Sequence, residues 1–278
     1  MRLVRSFVGC MLVGTAAEAF SVASTPSSCF SSPSWAPKPS HALKLRLGSS
    51  CSSSAIPLED PITFSQDLTD YPHRIATVLA TFAGHIYFLT TSVVRVLQQP
   101  VAAPWRPLLP INLAYLAADA ASGLLHWSVD NYGSAETPVF GGMIASFRYH
   151  HQNPAAMRDR SVWYGLYHYC VPFGILPFLL LLPWLPAGSM RLGASVFCQL
   201  GNAVQEVHRG AHQGRHWVGR VAPKEHARHH MAPYESKYCT ISGLCNGVLD
   251  RVGLFRLLEG VVYRITGVRP YSDQVVQD

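Results

Sequence analysis

Four apolar segments follow one another through the central and C-terminal parts of the chain. Each is long enough to cross or deeply enter a bilayer, where a helix needs about 20 residues. The third contains no Asp, Glu, Lys or Arg but has four prolines, which predicts a kinked or partly re-entrant segment. The segments are residues 75–94, 108–125, 161–190 and 192–207. The pattern predicts an all-α protein: an integral membrane helical bundle of about four spans.

Eight histidines lie in four groups at or beyond the ends of these segments. Two groups follow the second segment and two follow the fourth, so two crossings separate them and all four groups reach the same face. Arginine and lysine are concentrated on that face too, which the positive-inside rule makes cytosol-like, meaning stromal in a plastid. The groups are His126; His150 and His151; His208 and His212; and His226, His229 and His230.

The spacing within each group suits metal binding. Histidines three or four positions apart share one face of a helix, and both groups after the fourth segment have this spacing. Adjacent His150 and His151 point in different directions, so the pair can serve two ions. Asp130 lies four positions after His126. It is our candidate catalytic residue, either as a ligand or as the group that orients an imidazole.

The number of imidazoles indicates which metal site to expect. One His-x-x-x-His pair is weak evidence, and hydrogen-bonded histidines are the plain alternative. A structural zinc site closes with four ligands, whereas eight suit two ions with open positions. Imidazole is a ligand for iron, and an open, nitrogen-rich di-iron site can activate dioxygen. We therefore predict a histidine-rich di-metal site on one face, with a lipid chain as substrate.

Composition narrows the classes further. Charged residues make up 14% of the chain, against about 25% in soluble domains, which favours a membrane protein. The net charge of +6 comes without a nucleic-acid recognition motif, so contact with anionic lipid is the better interpretation and no nucleic-acid partner is expected. The seven cysteines are odd in number and include no Cys-x-x-Cys, which makes a disulfide framework a poor interpretation.

The first 60 residues read as a targeting leader, and residues 61–278 as the functional domain. Arg2 and Arg5 precede an apolar stretch, and Ala17-Glu18-Ala19 has a small-x-small cleavage pattern. The following 34 residues, 21–54, are rich in serine and proline and contain no acidic residue, as in transit peptides. A signal-like part followed by a transit-like part predicts a plastid membrane. A disordered tail without an address is the alternative.

Several longer stretches carry a family resemblance. They are HWSVDNYG at 126–133, TPVFG at 137–141, HHQNP at 150–154, QEVHRGAH at 205–212, EHARHHMAPY at 225–234, YCTISG at 238–243 and GVRP at 267–270. Together they resemble the lipid desaturase family that contains the plant plastid phosphatidylglycerol palmitate trans-3 desaturase and plasmanylethanolamine desaturase. The first two stretches look like the plastid branch. Gly210 departs from the tryptophan that relatives usually have between the paired histidines.

The resemblance implies two iron ions, dioxygen as co-substrate and a membrane phospholipid as substrate. It also implies an electron donor, which would be ferredoxin in a plastid and cytochrome b5 in the reticulum. His168 resembles a histidine of the plastid branch and is a further candidate ligand. The expected activity is introduction of a trans-3 double bond into palmitate on phosphatidylglycerol. The alternatives are plasmanylethanolamine desaturation, which forms a vinyl ether, and a non-catalytic metal-binding membrane scaffold.

Overall fold

The computed structural model describes residues 69–99, 105–138, 140–215 and 221–275, which belong to one compact unit, Asp67–Asp278. The leader predicted for residues 1–60 lies outside the described residues. The described part contains helices and turns but no strand, as the all-α prediction requires. The helices are α1 Pro72–Leu97, α2 Leu108–Asn131, α3 Gly141–Gln152, α4 Ala155–Arg158, α5 Val162–Tyr169, a π-helix Cys170–Ile175, α6 Leu176–Leu180, α7 Ser189–His212, α8 Pro223–His229, α9 Asn246–Arg251, α10 Leu254–Thr266 and α11 Tyr271–Val275.

Helices α1 and α2 are long and apolar enough to cross a membrane. They have 26 and 24 residues, and only 33% and 28% of their most apolar windows are buried inside the protein. The outward surface includes leucines that are more than half exposed, such as Leu79 and Leu113. A soluble protein rarely exposes so large an apolar surface, whereas lipid covers it without cost. The chain is therefore a membrane helical bundle.

The third predicted segment is broken in the structure. It consists of α5, the π-helix and α6, followed by turns from Leu181 to Leu185. Pro177 lies in the first turn of α6, where its missing N–H is tolerated. The buried His85 of α1 has Nε2 3.3 Å from the carbonyl oxygen of Gly174, so a side chain satisfies a carbonyl of the irregular stretch. The kink predicted from the prolines has this form.

Helix α7 contains the fourth predicted segment and is the central contact of the bundle. It packs against α1, α2 and α5, and its C-terminal end meets α8. Buried polar residues such as Asn202 and Gln205 lower the mean hydropathy of α7. Among the described helices, only α1 and α2 are both long and apolar enough to cross a membrane. The count of four spans therefore stays a prediction. Because α2 and α7 are packed together, their histidine-bearing C-terminal ends lie side by side.

Candidate metal centre

The eight predicted histidines come together at one end of the bundle. They are contributed by the last turns of α2, α3 and α7 and by α8 with its C-terminal cap. They form two groups, in each of which the potential ligand atoms all lie within 4.8 Å of one another. The histidine group consists of His150, His208, His212, His226 and His230. The mixed group consists of His126, Asp130, His151 and His229.

The neighbours His150 and His151 belong to different groups. Side chains one position apart on a helix point about 100° away from each other, since there are about 3.6 residues in a turn. His150 therefore reaches the histidine group while His151 reaches the mixed group. Helix α8 is also shared, because His226 and His230 point to the first group and His229 to the second. These two helices therefore contribute potential ligands to two adjacent groups.

In the histidine group, ring nitrogens face one another at ligand spacing. The Nε2 atom of His226 lies 2.8 Å from Nε2 of His208, 2.8 Å from that of His212 and 3.0 Å from that of His230. Two nitrogens bound to one ion at about 2.1 Å and at right angles would be about 3.0 Å apart. A neutral imidazole has a single N–H, so it cannot serve three facing nitrogens. Lone pairs directed at a shared cation satisfy the arrangement.

In the mixed group, backbone carbonyls fix the tautomers. Nδ1 of His126 lies 3.1 Å from the carbonyl oxygen of Tyr238, and Nδ1 of His229 lies 2.9 Å from that of Ser236. A carbonyl only accepts, so each Nδ1 must donate, and in the neutral ring Nε2 is left as a lone pair.

These lone pairs meet the carboxylate of Asp130. Its Oδ2 atom lies 3.3 Å from Nε2 of His126, of His151 and of His229. A carboxylate is also an acceptor, so acceptors converge on one point and repel each other unless a cation lies between them. The residues of both groups thus fit metal ions, and Asp130 has the geometry of a ligand.

Burial favours the neutral form of three imidazoles outside the long helices, those of His150, His226 and His230. It lowers the pKa of His150 and of His226 well below the usual 6.5, and repulsion from neighbouring imidazoles lowers the pKa of each further. The pKa of His230 is lowered for the same two reasons. The unprotonated ring is the form that binds metals.

A loop after α8 supplies the carbonyls that orient the mixed group, and α2 holds this loop. The fully buried Asp119 accepts hydrogen bonds from the backbone N–H groups of Ser242 (2.7 Å), Gly243 (3.0 Å) and Cys245 (3.0 Å). At Gly123 of α2, a Cβ would lie 2.6 Å from Sγ of Cys239, so only glycine permits this close approach. The carboxylate of Asp119 is thereby paired with the backbone of this loop.

A second contact ties the end of α2 that carries His126 and Asp130 to the C-terminal helices. Nε1 of the buried Trp127 donates to Oε1 of Glu259 on α10 at 3.1 Å. Arg256 joins this carboxylate at 2.7 Å and also reaches Asp273 of α11 at 2.9 Å. Sequence reasoning did not find these residues, because nothing local marks a tryptophan as the partner of a glutamate 132 positions away.

His168 lies apart from both groups. Its exposed ring packs edge-on against Tyr164 and Tyr167 within α5. Glu206, which lies two positions before His208, forms an ion pair with Arg209 of its own helix at 2.6 Å.

The described residues form a membrane helical bundle with two groups of converging imidazoles at one end of its apolar helices. This arrangement defines a class of protein: membrane proteins built to hold metal ions near the lipid surface. Comparison with known proteins identifies the family. Residues 115–273 match the lipid desaturase domain, and the chain belongs to that family.

Named relatives fall on two branches of the family. Fatty acid desaturase 4, chloroplastic, of Arabidopsis thaliana is 35% identical over 179 residues, covering 60% of this chain and 54% of the relative. Plasmanylethanolamine desaturase of Myxococcus xanthus is 30% identical over 216 residues, covering 72% and 76%. Plasmanylethanolamine desaturase 1 of Mus musculus is 29% identical over 196 residues, covering 60% and 69%. The chain thus spans about half the length of the plant relative. No solved structure matches this chain.

Proposed function

We propose that this protein is an oxidoreductase that desaturates a membrane lipid with two iron ions and dioxygen. The observation that carries the proposal is the convergence of eight imidazoles and Asp130 into two adjacent groups at the end of membrane-capable helices. Membership of the lipid desaturase family supports the same activity. Iron is preferred to zinc because dioxygen chemistry needs a redox-active ion, which zinc is not, and because imidazole is a good ligand for iron.

When bound, the iron pair would supply dioxygen activation and remove two hydrogens from neighbouring carbons of the lipid chain. The overall reaction consumes one dioxygen, two electrons and two protons, and yields one alkene and two waters. The chain's own residues hold and orient the ions. The carbonyls of Tyr238 and Ser236 keep the rings of His126 and His229 in one tautomer and one direction.

The proposed substrate is palmitate esterified to phosphatidylglycerol, which receives a trans-3 double bond. The 35% sequence identity to a chloroplastic desaturase supports this substrate, and so do the stretches HWSVDNYG and TPVFG. We further propose that residues 1–60 are a plastid leader and that residues 61–278 form the desaturase domain. The histidine face would then be stromal, and ferredoxin would be the electron donor. In the reticulum the donor would be cytochrome b5.

A second candidate function is plasmanylethanolamine desaturation. The bacterial relative with that name is aligned over 76% of its length, a larger share than the plant relative, at similar identity. Both reactions remove hydrogens near the glycerol end of a lipid chain, so the same metal centre serves either.

Expression in a host that lacks both activities, followed by lipid mass spectrometry, tests the proposal. A trans-3 hexadecenoyl phosphatidylglycerol two mass units lighter than its precursor is expected. A vinyl ether in its place would favour the second function. A protein that binds metal but forms neither product in the presence of a donor would favour the metal-binding scaffold. The His229→Ala variant should form no product, while His168→Ala, outside both groups, should remain active.

A further inference from the structure

A cavity of about 140 Å³ adjoins the mixed group. Its walls come from the end of α2, the end of α3, the start of α11 and Tyr234 in the loop after α8. Asp130 and His151, both members of the mixed group, form part of the lining. A molecule in this cavity would therefore lie directly beside the proposed metal ions.

The lining carries a fixed positive charge. The guanidinium of Arg148 is buried, with Nη2 donating to the carbonyl oxygen of Gly133 at 2.8 Å and Nε to that of Asp130 at 3.4 Å. The ring of Tyr271 packs against the guanidinium, with the ring centroid 4.4 Å from Cζ of Arg148. These contacts hold the guanidinium in one orientation beside the cavity, which the carboxylate of Asp130 also lines.

The same lining contains the hydroxyl of Ser272. Ser272 is 5% exposed, and its backbone N–H donates to Oδ1 of Asn131 at 3.1 Å. Its Oγ atom is buried and has no hydrogen-bond partner among the described residues. Leaving such a hydroxyl unpaired is unfavourable, so a guest with oxygen atoms is favoured there.

Size and chemistry together define the guest. The cavity has room for roughly five water-sized groups, which suits a phosphate with adjoining glycerol atoms and is too small for a palmitoyl chain. Guanidinium groups bind phosphate and carboxylate oxygens through paired hydrogen bonds. A phosphodiester in the cavity would leave the first carbons of the attached chain nearest to the mixed group. Both candidate reactions oxidise carbons near that end of the chain.

We propose that this cavity binds the phosphodiester end of the phospholipid substrate and that Arg148 selects it over an uncharged diglyceride. The proposal rests on the proposed function for the identity of the lipid, but the binding it describes requires no turnover. It adds a specificity-determining residue to the nine that form the two groups.

The test measures binding to the purified, metal-loaded full chain in detergent by native mass spectrometry. Three probes are compared: dipalmitoyl phosphatidylglycerol, dipalmitoylglycerol and inorganic phosphate. Wild type should bind the phospholipid at least about tenfold more tightly than the diglyceride, as expected for a charge-assisted contact. Arg148→Gln should bring the two lipids within about threefold.

Two further variants make the result decisive. Ser272→Leu fills the cavity without touching the arginine and should lower phospholipid affinity by about tenfold, so it decides the matter if Arg148→Gln fails to fold. Arg251→Gln removes an exposed charge from α9 and should behave as wild type. Unchanged lipid discrimination in both cavity variants would overturn the proposal. So would binding of phosphate alone as tight as that of the lipid, which would indicate a site for a free anion.

Failure of the proposed function gives a different pattern. Arg148-dependent lipid binding in a protein that forms no desaturated product would contradict the activity and leave the cavity assignment standing. Product formation with unaltered discrimination in Arg148→Gln and Ser272→Leu would contradict only the cavity assignment.

Discussion

Replacing Asp119 by asparagine should destabilise the protein and loosen the mixed group from a distance. The carboxylate of Asp119 is fully buried in α2, and its oxygens accept three backbone N–H groups of the loop that follows α8. The same loop presents the carbonyl of Tyr238 to Nδ1 of His126. Asp119 therefore fixes the direction of a proposed ligand that it does not touch.

The magnitude follows from the three hydrogen bonds. An asparagine oxygen can still accept from Ser242 and Gly243, but as a neutral acceptor, while its amide would turn a donor toward the N–H of Cys245. Hydrogen bonds to a charged group contribute about 1.5–3 kcal/mol each, so losing one and weakening two costs on the order of 3 kcal/mol. For a unit of this size, 1 kcal/mol shifts Tm by about 2–4 °C, which gives a fall of about 6–12 °C.

The assay combines thermal unfolding in detergent with titration of a chelator. Loss of support for a metal-bound histidine typically weakens metal affinity by about 10–100-fold, so one of the two ions should be released at a correspondingly lower chelator concentration. Asn112→Ala is the matched control, because Asn112 is exposed on the same helix and donates only to the carbonyl of Leu108. It should change Tm by less than about 2 °C. Equal Tm and equal metal retention in Asp119→Asn and wild type would refute this reasoning.

Three further outcomes are expected. His226→Ala and His126→Ala should each reduce metal content by about one ion per chain, from different groups, whereas His168→Ala should retain both; loss of both ions in every variant would contradict two separate groups. Trp127→Phe, which removes the bond to Glu259, should lower the free energy of unfolding by about 2–3 kcal/mol in denaturant titrations, and a change below about 0.5 kcal/mol would contradict that contact. Removing the ions by chelation should lower Tm on the order of 10 °C and readdition should restore it, because ligands that bind only the folded state stabilise it; an unchanged Tm would count against a resident metal.

The spacing of residues along the sequence predicted the part of the site that depends on helix periodicity. His126 with Asp130, and His226 with His230, are four apart, and the structure directs each pair to one point. The divergence of adjacent His150 and His151 follows from the same rule, which is why a two-ion site could be inferred from the sequence. The kink in the third apolar segment followed from its prolines in a comparable way.

The parts that could not be predicted depend on contacts between distant residues. The carbonyl of Tyr238 reaches His126 across 112 positions, and no periodicity encodes such a pairing. The cavity beside Arg148 exists only because α11 returns to the end of α2. In α7, the polar residues Asn202 and Gln205 lower the mean hydropathy although both are buried inside the bundle. Hydropathy therefore leaves open whether α7 spans the membrane.

The most direct test of the central claim is the identity and number of metal ions in the purified full chain, measured by elemental analysis together with Mössbauer spectroscopy. The account predicts about two irons per chain, one for each of the two adjacent groups. A chain that contains a single zinc, or only traces of any transition metal after expression in iron-replete cells, would contradict it.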